Sequence, residues 1–294
     1  MSKLLKRLAG GEILVGDGAM GTMLQALGLD VGQSPETWNL LYPDRVQSIA
    51  AEYVAAGSDM VETNSFGGNR YQLSHCDLGD KVEYVNRQAA QLARAGAGAG
   101  IFVIGSVGPT GQMLRPLGTE SEEDMYQAFA EQTKGLAAGG VDAICVETMS
   151  DLAEAKIALR AAKDSTGLPV AVTFSFEKNI RGQYRTMMGV SPEQAAEQLT
   201  AAGADIVGGN CGTGIDGMVD ICALIRGCTD RFIMIQSNAG LPVLENGKTV
   251  FRQTPQEMAC RVDELVSNGV NIIGGCCGTT PAHIRAIKEA LANR

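Results

Sequence analysis

Histidine is almost missing from this chain: only His75 and His283 occur among 294 residues. That scarcity argues against imidazole-based hydrolytic metal sites and against Ser–His–Asp or Cys–His nucleophiles. There is one tryptophan, Trp38. No apolar run approaches the ~18 residues that a membrane span needs. No Gly-x-Gly-x-x-Gly follows the first apolar run, so the commonest mark of a dinucleotide-binding sheet is lacking. Basic residues are outnumbered, 24 Lys and Arg against 33 Asp and Glu, for a net charge of −9. That balance argues against nucleic acid or an anionic membrane as a partner. The N-terminal stretch Met1–Leu8 has charge but no long apolar core. It reads as a short packed helix and not as a signal peptide.

What is present is a large apolar fraction, 45%, and eight cysteines: Cys76, Cys145, Cys211, Cys222, Cys228, Cys260, Cys276 and Cys277. Scattered over a core-rich chain, they do not resemble a small secreted disulfide scaffold. A reducing, cytoplasmic setting is the expectation, with metal binding favoured over bridging.

One pattern recurs. A helix-like stretch ends in Gly, a polar residue and several apolar residues follow, and the run ends in a polar or Gly-rich tip. The instances start at Gly57, Gly140, Gly203 and Gly269. Glycine at a helix end followed by a buried strand is a helix-to-strand junction. Four further apolar runs, Ile13–Gly16, Ile101–Gly105, Val170–Phe174 and Phe232–Gln236, bring the strands to eight. Helical stretches separate them, several opened by Ser-Pro or Thr-Pro, and the longest late one is read over Pro255–Asn268. Continuous apolar runs alternating with helices predict an α/β chain of parallel strands buried on both faces, a (β/α)8 TIM barrel in a single domain over residues 1–294. The alternative is an open doubly wound sheet.

In a barrel the residues just past each strand lie on the C-terminal face, where active sites are built. In order, those tips are Asp17; Glu62-Thr63-Asn64; Gly108-Pro109-Thr110; Glu147-Thr148; Ser175 with Glu177; Asn210-Cys211; Asn238; and Cys276-Cys277. No histidine belongs to this face on the sequence reading. Asp59, Asp142 and Asp205 precede their strands and fall at the opposite, stability face. Cysteines such as Cys145, Cys222 and Cys260 read as small core hydrophobes. Cys276-Cys277, flanked by Gly-Gly and Gly-Thr-Thr, suit that reading badly. Three thiolates from Cys211, Cys276 and Cys277 could hold a zinc ion with one position open. Such a site would suit activation of another thiol and alkyl transfer to it.

The segments Asp17–Thr22, Glu62–Phe66, Gly108-Pro109-Thr110, Glu147–Asp151, Gly209–Gly212, Asn238–Pro242 and Gly274–Pro281 resemble the homocysteine S-methyltransferase family, in its order and over nearly the whole chain. The likeness is strongest to the homocysteine-binding module of cobalamin-dependent methionine synthase, here expected to stand alone. It implies a (β/α)8 barrel, Zn2+ on Cys211, Cys276 and Cys277, and Asn238 as a weak fourth ligand of the empty site. It implies that Asp17 and Glu147 hold the homocysteine ammonium and that backbone N–H groups around Gly18–Thr22 take its carboxylate. Thr110 and Ser175 are weaker candidates for lining the cleft. No Asp-x-His-x-x-Gly corrinoid motif occurs. The overall resemblance favours as donor methylcobalamin or another methylcorrinoid carried by a separate corrinoid protein and, without that motif, not bound by this chain. The alternatives are a small donor, S-methylmethionine or betaine, which Trp38 could face through a cation–π contact, and a non-catalytic zinc- or thiol-binding accessory protein.

Overall fold

The structure, a computed structural model, describes residues 1–30, 32–245 and 248–294. Eight parallel strands form the barrel: β1 (Leu14–Val15), β2 (Met60–Glu62), β3 (Phe102–Val107), β4 (Ala143–Met149), β5 (Val170–Phe174), β6 (Ile206–Gly214), β7 (Phe232–Asn238) and β8 (Ile272–Gly275). The hydrogen-bonded order runs β1-β8-β7-β6-β5-β4-β3-β2. The seam between β1 and β2 is bridged mostly by side chains. Asp59 N donates to Val15 O at 2.7 Å, Asp59 Oδ2 accepts from Val15 N at 3.0 Å, and Asp17 Oδ2 accepts from Glu62 N at 2.8 Å. Helices follow the strands, so all eight expected strands and the barrel are present. Among the described residues, no helix is long and apolar enough to cross a membrane.

The continuous apolar runs divide by parity, as strand geometry requires. Leu14, Met60, Phe102, Ile104, Ala143, Cys145, Ala171, Ile206, Met234 and Ile272 pack together inside the barrel. Leu4 and Leu8 of the N-terminal helix Lys3–Ala9 join them and close the lower end. Their strand neighbours Val15, Val61, Val103, Ile144, Val146, Val170, Val172, Val207, Ile233, Ile235 and Ile273 face the helices.

One device recurs at the lower rim. The polar residue that opens each even-numbered strand accepts a hydrogen bond from the strand before it. Asp59 bonds to Val15, Asp142 Oδ2 to Val103 N (2.8 Å), Asp205 Oδ2 to Val170 N (2.9 Å) and Asn271 Oδ1 to Ile233 N (2.8 Å). Cations back the three aspartates: Arg7 and Lys288 on Asp59, Arg94 on Asp142, Lys163 on Asp205. Asp205→Ala is expected to leave the Val170 N–H unpaired and cost about 1–3 kcal/mol. Thermal unfolding would show it as a melting temperature lower by several degrees, and an unchanged value would refute the role.

One reading changes, and two loops carry structure of their own. The expected helix Pro255–Asn268 is two helices, Pro255–Ala259 and Val262–Ser267, because the backbone tightens where Arg261 N bonds to Met258 O. The loops after β5 and β7 each carry an antiparallel hairpin, Glu177–Lys178 with Tyr184–Arg185 and Val243–Glu245 with Lys248–Val250.

Candidate metal centre and substrate cleft

The inward parity that places apolar side chains low in the barrel places polar ones above them. Two residues on from Met60, Ile104, Cys145, Ala171, Gly208 and Met234 come Glu62, Ser106, Glu147, Thr173, Asn210 and Gln236. The upper interior therefore has two arcs. Asp17, Glu62, Ser106 and Glu147, at the tips of β1 to β4, make an acidic half-ring. Cys211, Asn238 and the Cys276-Cys277 pair, at β6 to β8, make a thiol half-ring. A cavity of about 750 Å³ opens between them, lined by Gly18–Thr22, Glu62, Phe66, His75, Ser106, Glu147, Cys211, Gln236, Cys276 and Cys277 among others.

Backbone turns bring the three sulfurs together. Cys211 adopts a left-handed conformation (φ 56°) and Gly212 continues it (φ 64°), a geometry that disfavours ordinary side chains. At Gly212 a Cβ would stand 2.4 Å from Phe176 O. Past β8, Cys276 N bonds to Ser237 O at 2.7 Å and Cys277 O accepts from Ala239 N at 3.0 Å. Thr279 Oγ1 donates to Cys276 O at 2.7 Å and accepts from Ala19 N at 3.1 Å, tying this turn to the first loop. Cys211 Sγ and Cys277 Sγ lie 4.0 Å apart, and the three sulfurs all fall within 4.8 Å of one another. Tetrahedral zinc with Zn–S near 2.3 Å spaces its sulfurs by about 3.8 Å. The trio fits a tetrahedral thiolate site after only a small contraction. Its electrostatics point the same way: the Cys276 and Cys277 thiols, the Gly212 N–H and the Asn238 side chain lower the Cys211 pKa. Cys276 and Cys277 are raised in turn. Asn238, only 3% exposed, keeps Oδ1 buried without a partner beside this cluster.

The carboxylates are the counterpart. Glu147 accepts from Ser106 Oγ and, at 3.3 Å, from Asn210 Nδ2. Asn210 also bonds to Thr148 N (2.8 Å), Thr148 Oγ1 (2.7 Å) and Thr173 Oγ1 (2.8 Å), which locks the β4 and β6 tips together. Thr148, too, is left-handed (φ 59°), and the β4–β5 register shifts between Val146 and Met149. Burial raises the pKa of Asp17, Glu62 and Glu147, and the charge of Glu62 raises those of Asp17 and Glu147 further. Asp17 Oδ1 has no partner. Among the described residues no cation forms a salt bridge with any of the three. Buried carboxyls clustered without a cationic partner suit a cationic ligand, which would favour their ionised forms.

The comparisons decide the family. The family model for homocysteine S-methyltransferase matches residues 14–291. The chain belongs to the homocysteine S-methyltransferase family, a family of enzymes. It is 33% identical to methionine synthase of Mycobacterium tuberculosis over 96% of this chain and 25% of that protein. It is also 33% identical to methionine synthase of Mycobacterium leprae, over 98% of this chain and 25% of that protein. The chain thus spans about a quarter of the length of these curated relatives. The homocysteine methyltransferase MmuM of Escherichia coli, in its metallated form, shares the fold, with a TM-score of 0.78, 21% identity, and coverage of 95% of this chain and 96% of that one.

The family's expected residues fall unevenly in the structure. Cys211, Cys276, Cys277, Gly18 and Glu147 line the cavity, while Asp17 lies buried beside that lining, 2% exposed and bonded to Glu62 N. Thr110 has to be taken out of the cleft. It is fully buried, and both its N–H and its hydroxyl bond to Glu154 Oε1, at 2.7 and 2.6 Å. Ser175 packs against the Cys211–Gly212 turn and is not among the cavity-lining residues. The expectation of a face without histidine is corrected: His75, just past the short helix Arg70–Ser74, reaches the cavity. His283 instead closes a helix cap with Thr280. Trp38 is 3% exposed, in the core, under the Arg45 guanidinium. It is an anchor and not part of the cavity wall. Glu62, Ser106, Asn210 and Gln236 were given no role from sequence, although their parity with the inward apolar residues marked them.

Proposed function

We propose that this chain transfers a methyl group to the sulfur of homocysteine, forming methionine, with Zn2+ held by Cys211, Cys276 and Cys277. The observation that carries the reading is the two-sided cavity, with thiol ligands on one half-ring and uncompensated carboxylates on the other. Homocysteine has the matching ends, a thiol and an ammonium. Bound to three thiolates, zinc supplies a Lewis acid that lets the substrate sulfur exist as thiolate near neutral pH. Asp17 and Glu147 take the ammonium, with Ser106 and Asn210 fixing Glu147. Backbone N–H groups around Gly18–Thr22 take the carboxylate, that of Ala19 excepted because Thr279 Oγ1 already holds it. Asn238, whose Oδ1 is buried without a partner, would serve as a weak fourth donor before the substrate arrives. The thiol loses its proton to solvent on binding, the sulfur attacks the methyl carbon presented at the open mouth, and the donor departs with the electron pair of the broken bond.

A methylcorrinoid that this barrel does not itself bind is the donor the surface favours. Most exposed large apolar side chains of the described residues lie on loops beyond the strand tips, among them Phe66, Met113, Leu117, Ile180, Met187, Leu241 and Leu244. Such a rim suits contact with a macromolecule. Trp38 lends no support to the small cationic donors, because Arg45 already covers its ring. An accessory protein that only stores zinc would have no use for the acidic half-ring.

The test is methionine formation by the zinc-loaded protein from homocysteine, with methylcobalamin, S-methylmethionine and glycine betaine supplied in parallel. Methylcobalamin is expected to support turnover. Turnover only with an onium donor would overturn the corrinoid assignment. No methionine from any donor, a methylcorrinoid protein included, would sink the methyltransferase reading.

A further inference from the structure

Glu62 has no role in the scheme above, yet it is the charge that Asp17 and Glu147 both feel. It ends β2 between their strands, lines the cavity, and binds Asp17 through its own N–H (2.8 Å). Gln236, reaching from β7 across the barrel, donates Nε2 to Glu62 Oε1 at 3.0 Å. That bond fixes the carboxylate and orients the amide. Gln236 is 2% exposed and lines the same cavity, and its Oε1 has no hydrogen-bond partner. An amide oxygen held next to a buried carboxylate, with no donor for it in the protein, is built for a donor from outside. Asp17 Oδ1 is unpartnered in the same way. Glu62 from β2, Glu147 from β4 and Gln236 from β7 thus bring acceptors to one cavity, and a tetrahedral ammonium has three N–H donors to give them.

We propose that Glu62 and Gln236 complete the ammonium pocket and make the site select thiols that carry an α-ammonium. Glu62 supplies charge and Gln236 supplies a neutral acceptor. This rests on homocysteine being the substrate. Within that reading it separates recognition of the amino group from recognition of the sulfur.

The experiment measures binding of homocysteine and of 4-mercaptobutanoate to the zinc-loaded protein by titration calorimetry. The second ligand keeps thiol and carboxylate and lacks the amino group. The unaltered protein is expected to prefer homocysteine. Glu62→Gln is expected to weaken homocysteine binding about 10- to 100-fold and to leave 4-mercaptobutanoate nearly unchanged, with zinc content and melting temperature retained. Gln236→Leu, which removes the unpartnered oxygen together with the amide that fixes Glu62 but keeps the carboxylate itself, is expected to shift the same ratio less; it serves as the test should Glu62→Gln fail to fold, and an unchanged ratio there would overturn the pocket. Equal weakening of both ligands, or of neither, would overturn the role of Glu62. Equal binding of both ligands by the unaltered protein would overturn ammonium selection and leave the thiol reading intact. Binding of neither would overturn the homocysteine reading itself.

Discussion

Cys276→Ala is expected to abolish zinc binding and methionine formation together. The loss in rate is set by removal of the Lewis acid, worth several kcal/mol, on the order of 10³-fold or more. The fold should survive, because Cys276 serves the architecture through its backbone: its N–H bonds to Ser237 O and its carbonyl receives Thr279. None of these contacts uses the sulfur. A two-thiol remnant of Cys211 and Cys277 lacks the charge and donor number that retain zinc against buffer. Cys260, expected as a small core hydrophobe, is instead exposed at the end of the helix Pro255–Ala259 and outside the sulfur cluster, so Cys260→Ser should keep metal and turnover and serve as the control. The checks are a metal-to-protein ratio and methionine output from the same preparations. Full turnover by Cys276→Ala after chelation would refute the assignment of the thiol half-ring.

How much of this was legible in the sequence depends on the kind of signal. Strand boundaries were clear because each even-numbered strand opens with Gly, one residue, then Asp or Asn. Those polar residues prove to be hydrogen-bond acceptors for the preceding strand. The Cys276-Cys277 pair was clear because adjacent cysteines between glycines make poor core. Thr110 misled because its loop position says nothing about Glu154, which arrives from the helix Leu152–Thr166 and claims it. His75 was missed for the converse reason: the short helix Arg70–Ser74 turns the chain back toward the mouth, a path that no local pattern encodes. Glu62 and Gln236 occupied a middle ground. Two-residue parity with Met60 and Met234 put both inside the barrel, but only coordinates show that they meet across it.

Asp17 offers the second large effect, because one side chain performs two separable tasks. Its Oδ2 closes the β1–β2 seam on Glu62 N, while Oδ1 is buried without a partner and, on the proposed reading, meets the substrate ammonium. Asp17→Asn keeps an acceptor for the seam and removes the charge. It is expected to raise the KM for homocysteine about 10- to 100-fold, with kcat changed far less, since a charge-assisted bond is lost from ground state and transition state alike. Asp17→Ala should lose binding equally and also leave the Glu62 N–H unpaired, at about 1–3 kcal/mol of stability. The sign for the asparagine variant is opposite. The folded-state pKa of Asp17 is raised above its unfolded value by burial and by Glu62, so the folded chain holds that proton more tightly. The ionised carboxyl therefore costs stability above the raised pKa, and the cost fades as pH falls through it. Asp17→Asn removes this cost, and without substrate it should melt at or above the temperature of the unaltered protein at pH 8, with a flatter pH dependence. Melting curves across pH, beside homocysteine saturation kinetics, would check both halves. A variant that melts lower at pH 8 while binding homocysteine normally would show Asp17 to be a seam residue only, and the acidic half-ring would then lose its first member.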